Sequence, residues 1–174
     1  YDAGNDVTTG VNNTLIGGLS GDALTTGYNN VSLGYNSLST ETTGRASVAI
    51  GVGALATQNT SADAFNVAVG HNSGTAITTG TKNTLMGGLA GDALTTGTVN
   101  VAVGYLALSS DTAGKRSVAI GNNALFTQNF TSATDTYNTA VGEAAGASVT
   151  TGTLSTLIGG LAGDAITTGS ENTL

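Results

Sequence analysis

Few side chains in this sequence have types and spacings that suggest chemistry. His71 is its only histidine, and Cys and Trp are absent, so neither a nucleophile–base pair nor a thiolate metal site can be assembled. The equivalent place in other repeats holds Gly18, Tyr35, Val52, Gly88, Tyr105, Asn122 and Glu143. Such tolerance reads as an exposed turn. The string Gly87 to Asp92 (GGLAGD) approaches the calcium-binding glycine–aspartate nonapeptide, but its third glycine is displaced and it returns only every fourth repeat. A shared calcium ligand set needs adjacent turns, so Asp22, Asp92 and Asp164 read as turn residues. Thr pairs before Gly10, Gly27, Gly80, Gly97, Gly152 and Gly169 suggest an ice-binding lattice. Adjacent Thr side chains point to opposite faces, however, and ladder hydrogen bonding at turns is the preferred reading. No catalytic residue, metal ligand or cofactor is expected, and the chain is not read as an enzyme.

Two segments break the repeat and carry most of the remaining chemistry. ATQNTSADAF (56–65) and FTQNFTSATDTY (126–137) occupy equivalent corners. Loops that interrupt a solenoid are where binding commonly resides. Gln58, Asn59, Phe65, Gln128, Asn129, Phe130 and Tyr137 are therefore the candidate ligand or lateral contacts, and aromatic faces beside amides suit a glycan. Asn59 and Asn129 also head glycosylation sequons. Arg45, Lys115 and Arg116 lie close in sequence to Glu41 and Asp111 and one repeat before Asp63 and Asp135. They are candidates for pairing that fixes register between chains.

The elements that must position these residues follow from repetition. Pentads such as NTLIG (13–17), NVAVG (66–70) and SVAIG (117–121) close on glycines at 17, 34, 51, 70, 87, 104, 121, 142 and 159. The steps are 17 residues except for 19 and 21 at the two interruptions. A longer unit of four repeats returns at positions 13, 83 and 155. A unit this short cannot bury a core alone and must stack on its neighbours. Gly punctuation and abundant Val, Ile and Thr select strands over helices.

The reading is an all-β, parallel β-roll or β-solenoid of about ten coils, continuous over residues 1–174 and a segment of a longer fibre. The pentad forms one strand, the residues after it a second, and TTG the return turn. The fourth pentad position is always a large aliphatic, Ile16, Ile50, Met86 and Ile120 among them, and is expected to face the core. The third, including Ala49, Ala68, Ala102, Ala119 and Ala140, is then expected to pack against another chain. Each coil adds one apolar plug after the strand. Where Gly21, Gly74, Gly91 or Gly146 stands, the plug is Leu24, Ile77, Leu94 or Val149. Where Leu38, Leu55, Leu108 or Leu125 stands, the later residue is polar: Glu41, Gln58, Asp111 or Gln128.

Four basic residues against eleven acidic ones exclude the electrostatic footprint of nucleic-acid or anionic-lipid binding. No run of apolar residues is long enough for a membrane-spanning helix.

The units NVAVGYLAL (100–108), SVAIGNNAL (117–125) and TTGYNNVSLGYNSL (25–38) resemble the head repeats of trimeric autotransporter adhesins and the similar repeats of phage tail fibre shafts. The resemblance implies a left-handed parallel β-roll in a three-chain bundle, with an attachment or shaft role outside the cell, on its surface or on a virion. The expected function is a structural fibre segment with an adhesive surface. Its partners are copies of itself and, at the inserts, a cell-surface glycan. The alternatives are a self-polymerising extracellular filament and a solenoid binding carbohydrate, calcium or ice.

Overall fold

The computed structural model describes residues 2–174. Nine three-residue strands form one parallel sheet: β1 (Thr14–Ile16), β2 (Val31–Leu33), β3 (Val48–Ile50), β4 (Val67–Val69), β5 (Thr84–Met86), β6 (Val101–Val103), β8 (Val118–Ile120), β10 (Thr139–Val141) and β11 (Thr156–Ile158). Each pairs with the next in that order, in unbroken register, so Ala102 lies beside Ala119 and Ala119 beside Ala140. A second, two-stranded sheet joins β7 (Gly114–Lys115) to β9 (Thr134–Asp135). No helix occurs among the described residues. The repeat therefore forms a parallel β-solenoid of about nine turns.

The pentad glycine makes this stack possible. Gly51 has φ 131°, and a Cβ there would strike the carbonyl of Gly70 in the next coil. After it the chain does not form the expected second strand. It runs through consecutive turns closed by bonds such as Ser20 N–H to Gly17 O (3.2 Å) and Leu24 N–H to Gly21 O (3.2 Å). Left-handed residues cause this, because Gly21 (φ 56°), Leu38 (φ 49°) and their equivalents reverse the chain too sharply for an extended segment. Coil-to-coil bonding persists regardless, as in Gly21 N–H to Ser37 O (2.9 Å) and Leu38 N–H to Ala54 O (3.0 Å).

The facing of the strands is the reverse of the expectation. The third pentad position points inward: Ala49, Ala68, Ala102, Ala119 and Ala140 are fully buried within their own chain, with Leu85 and Leu157. These alanines are not available for chain–chain packing. The fourth position points outward, leaving Ile16 at 55% exposure, Met86 at 44% and Ile158 at 60%. The cause is the narrow interior, in which a bulky strand residue and a bulky residue of the turn column beside it cannot both fit. In most coils the plug supplies the bulk (Leu38, Leu55, Ile77, Leu108, Leu125, Val149), and the strand contributes only Ala or Ser. Every fourth coil differs. There the strand carries Leu15, Leu85 or Leu157, and each fills the space over two flanking glycines: Gly4 and Gly21, Gly74 and Gly91, Gly146 and Gly163.

Candidate functional site

A ladder of asparagines runs along the inner edge of the sheet. Asn83 donates Nδ2–H to the Gly97 carbonyl (2.9 Å) and accepts at Oδ1 from the backbone N–H of Asn100 (3.0 Å). Asn30, Asn66, Asn100 and Asn138 repeat the pattern with Gly44, Gly80, Gly114 and Gly152. Backbone groups at the return corner are thereby satisfied without water. Serine interrupts the ladder at Ser47, Ser117 and Ser155, and at the first two of these coils an insert follows.

The inserts complete the interrupted ladder from inside. Gln58 and Gln128, expected to meet ligand, are fully buried. Gln58 donates Nε2–H to Ser47 Oγ (2.9 Å) and accepts from Asn66 Nδ2 (2.8 Å); Gln128 bonds Ser117 (2.8 Å) and Asn138 (2.9 Å) in the same way. Phe130 is also buried. These three are structural residues and not contact residues.

What remains exposed at the corners is smaller than expected. Asn59 and Asn129 lie on the surface with Oδ1 accepting from Thr42 Oγ1 (3.0 Å) and Thr112 Oγ1 (3.2 Å). Phe65 and Tyr137 are about half exposed and both adopt left-handed backbone, φ 50° and 51°. Arg45 and Arg116 reach the insert of their own chain. Arg45 bonds Asp63 (3.4 Å) and stacks 5.0 Å from the centre of the Tyr28 ring; Arg116 bonds Asp135 (3.0 Å) and stacks 5.6 Å from that of Tyr137. The Asp135 hydrogen bond and charge, then Tyr137, raise the Arg116 pKa. Lys115 sits in β7, whose backbone pairs with Asp135. The register these cations fix is that of the insert on its own coil, in place of the interchain pairing expected.

The Thr pairs act as ladder residues. Thr8, Thr25, Thr95 and Thr150 each donate Oγ–H to a threonine carbonyl in the next coil, at 3.0 to 3.2 Å. His71 is exposed. Among the described residues no three His, Asp or Glu side chains gather as a metal site, and no pocket opens. Among the described residues no helix is long and apolar enough to cross a membrane.

Neither a family model, nor a curated protein, nor a solved structure matches this chain. The geometry alone therefore directs attention to the outward strand face. Glu41 and Asp111 are the residues that sequence reasoning undervalued. Both are fully buried, and the signal was their charge at a position that elsewhere holds Leu, Ile, Val or the uncharged Gln58 and Gln128.

Proposed function

We propose that this chain is a shaft segment of a fibre in which three copies pack their strand faces around a common axis, and that the assembled rod serves as a spacer and attachment surface outside the cell or on a virion. The observation that carries the reading is the continuous, largely apolar outer face of the nine-stranded sheet, in which only threonines interrupt the aliphatic columns. Its second and fourth pentad columns are Val, Thr, Ile, Leu and Met throughout. Tyr35, Val52 and Tyr105 flank it on one side and Phe65, Val99, Tyr137 and Leu154 on the other, all large and exposed.

Strands about 4.8 Å apart make this strip about 40 Å long, and the seven residues across it make it about 20 Å wide. The product, a footprint on the order of 800 Å² whose margins also carry Lys82, Arg116, His71 and Glu143, matches one partner's share of a stable interface. Exposed β-branched columns in flat register also invite association between faces. A glycan contact belongs to the surface left outside such a bundle, at the insert corners.

Scattering mass in solution tests the assembly. A trimer is expected, with Ile120→Asp giving a folded monomer; a wild-type monomer at micromolar concentration overturns it. Oxidation of Met86, the only methionine and a residue at mid-face, gives a second readout. It should be slow in the wild type and fast in the Ile120→Asp monomer.

A further inference from the structure

The assembly does not account for Glu41 and Asp111. Both are buried carboxylates, and neither pairs with a cation among the described residues; Arg45 and Arg116 bond Asp63 and Asp135 instead. In the other coils this place holds an aliphatic side chain or, beneath the inserts, the uncharged Gln58 and Gln128. A Cβ built on Gly27 or Gly97 would meet the methyls of Leu24 or Leu94, whereas at Gly44 and Gly114 it would meet the carboxyl groups of Glu41 and Asp111. An ion in a leucine's position is tolerated only when surrounding donors replace water.

The donors come from two sources. Glu41 Oε1 accepts from the Thr42 N–H (3.1 Å) and the Gly44 N–H (2.7 Å) of its own corner. From the insert, Thr60 N–H reaches both oxygens (3.2 and 3.1 Å) and Gln58 Nε2–H reaches Oε2 (3.0 Å). Seventy residues on, Asp111 Oδ1 accepts from Gly114 N–H (3.0 Å) and Phe130 N–H (3.0 Å), and Oδ2 from Gln128 Nε2–H (2.6 Å). Acid, serine and glutamine keep the same spacing in both sets (41, 47, 58 and 111, 117, 128), although the inserts differ by two residues in length. The extra residues fall after the glutamine, between it and Asn138.

We propose that Glu41 and Asp111 are anchors, each fixing the base of the following insert in one conformation. The insert is then a rigid outward platform whose tip varies in sequence and length. The acid is a positioning residue. It couples the plug position of one coil to the corner of the next, and its negative charge, beyond its shape, is what the insert's N–H groups require. The tips, Ser61 and Ala62 in one insert and Thr131 to Ala133 in the other, are the positions left free to change. The proposal is independent of how many chains assemble.

Amide hydrogen exchange on the full chain tests it. In the wild type, Thr60 and Phe130 N–H should be as protected as strand amides such as Val101. Glu41→Gln keeps the shape but turns one acceptor toward donors, and it should speed exchange at Thr60 and Ala64 by roughly tenfold or more while leaving Phe130 unchanged. Asp111→Asn should do the reverse, speeding Phe130 alone. Asp63→Ala, which removes only the surface pair with Arg45, should move neither. Unprotected Thr60 and Phe130 amides in the wild type overturn the proposal, as does a Glu41→Gln chain with unchanged exchange or with both inserts loosened equally. Should Glu41→Gln fail to fold, the wild-type protection pattern and the Asp111→Asn chain decide.

Discussion

Leu85 and Gly91 share one volume: a Cβ built on Gly91 would stand 2.9 Å from Cδ2 of Leu85. Gly91 also has φ 56°, a conformation that costs an L-residue about 1–2 kcal/mol. Gly91→Ala should therefore destabilise the rod by about 3 kcal/mol, combining backbone strain with overpacking. Gly88→Ala is the control, since its Cβ would meet only the Tyr105 ring at ordinary contact distance. Chemical denaturation checks both. In the double variant Leu85→Ala with Gly91→Ala the clash with Leu85 should vanish and only the one with Leu94 Cδ1 (2.9 Å) remain, so its cost should fall below the sum of the single changes. Strict additivity would show that the two side chains do not compete for space.

The same pair explains what was legible in advance. The repeat length, the position of every long strand, the single plug per coil and the location of both inserts are all readable as columns in the sequence. The facing is not readable from side-chain size alone. Ile120 is larger than Ala119, and a rule that places bulk inside turns the strand over. The interior is too narrow for bulk from the strand and from the turn column beside it at once, so small residues line most of it and large ones stand outside. One pattern does carry the correct answer: leucine enters the third column at 15, 85 and 157, each time between two glycines of the turn column. Gln58, Gln128 and Phe130 were misplaced for a related reason. An insert reads as surface, yet its first residues replace a missing piece of the interior ladder.

The facing yields a direct test. Ala119→Glu puts an unpaired charge into the fully buried column and should unfold the neighbouring coils. Ile120→Asp, on the outer face at 38% exposure, should leave the β spectrum and the thermal transition of the single chain nearly intact. Circular dichroism of both variants suffices. The reverse result would return the strand to the opposite orientation.

Asp92 gives a pH dependence. One of its carboxylate oxygens is buried without a hydrogen-bond partner. Burial raises its pKa above the ordinary carboxylate value, against the lowering by backbone hydrogen bonds from Asp92 and Ala93. The folded state therefore holds this proton more tightly than the unfolded state. Its contribution to stability is fully present below the unfolded value near 3.8 and is lost as pH rises through the raised folded value. Asp92→Asn should raise the melting temperature at pH 7 relative to wild type, and by less at pH 3. A lower melting temperature for the variant at pH 7 would mean that the carboxylate is stabilised in place.

The asparagine ladder should be the costliest polar feature to interrupt. Asn83→Ala leaves the Gly97 carbonyl and the Asn100 N–H without the side-chain partners they have now, in a column from which water is excluded. At about 1–3 kcal/mol for each buried group left unpaired, the loss should be about 2–5 kcal/mol. Asn83→Ser should recover only the acceptor. Ser155, in the same column without a glutamine, accepts the Asn172 N–H at Oγ (3.2 Å) but donates to the Thr153 carbonyl (3.4 Å), whereas at Ser117 Gln128 reaches the hydroxyl and also bonds Asn138. Asn12→Ala provides the comparison, because Asn12 donates to Asn29 on the exposed side of the same corner and its loss leaves both partners open to water. Its cost should be within about 0.5 kcal/mol. Urea midpoints of the three variants order them as Asn12→Ala nearest wild type and the two Asn83 variants well below. Equal midpoints for Asn12→Ala and Asn83→Ala would mean that the inner ladder is hydrated, and would remove the physical reason for the glutamines beneath the inserts.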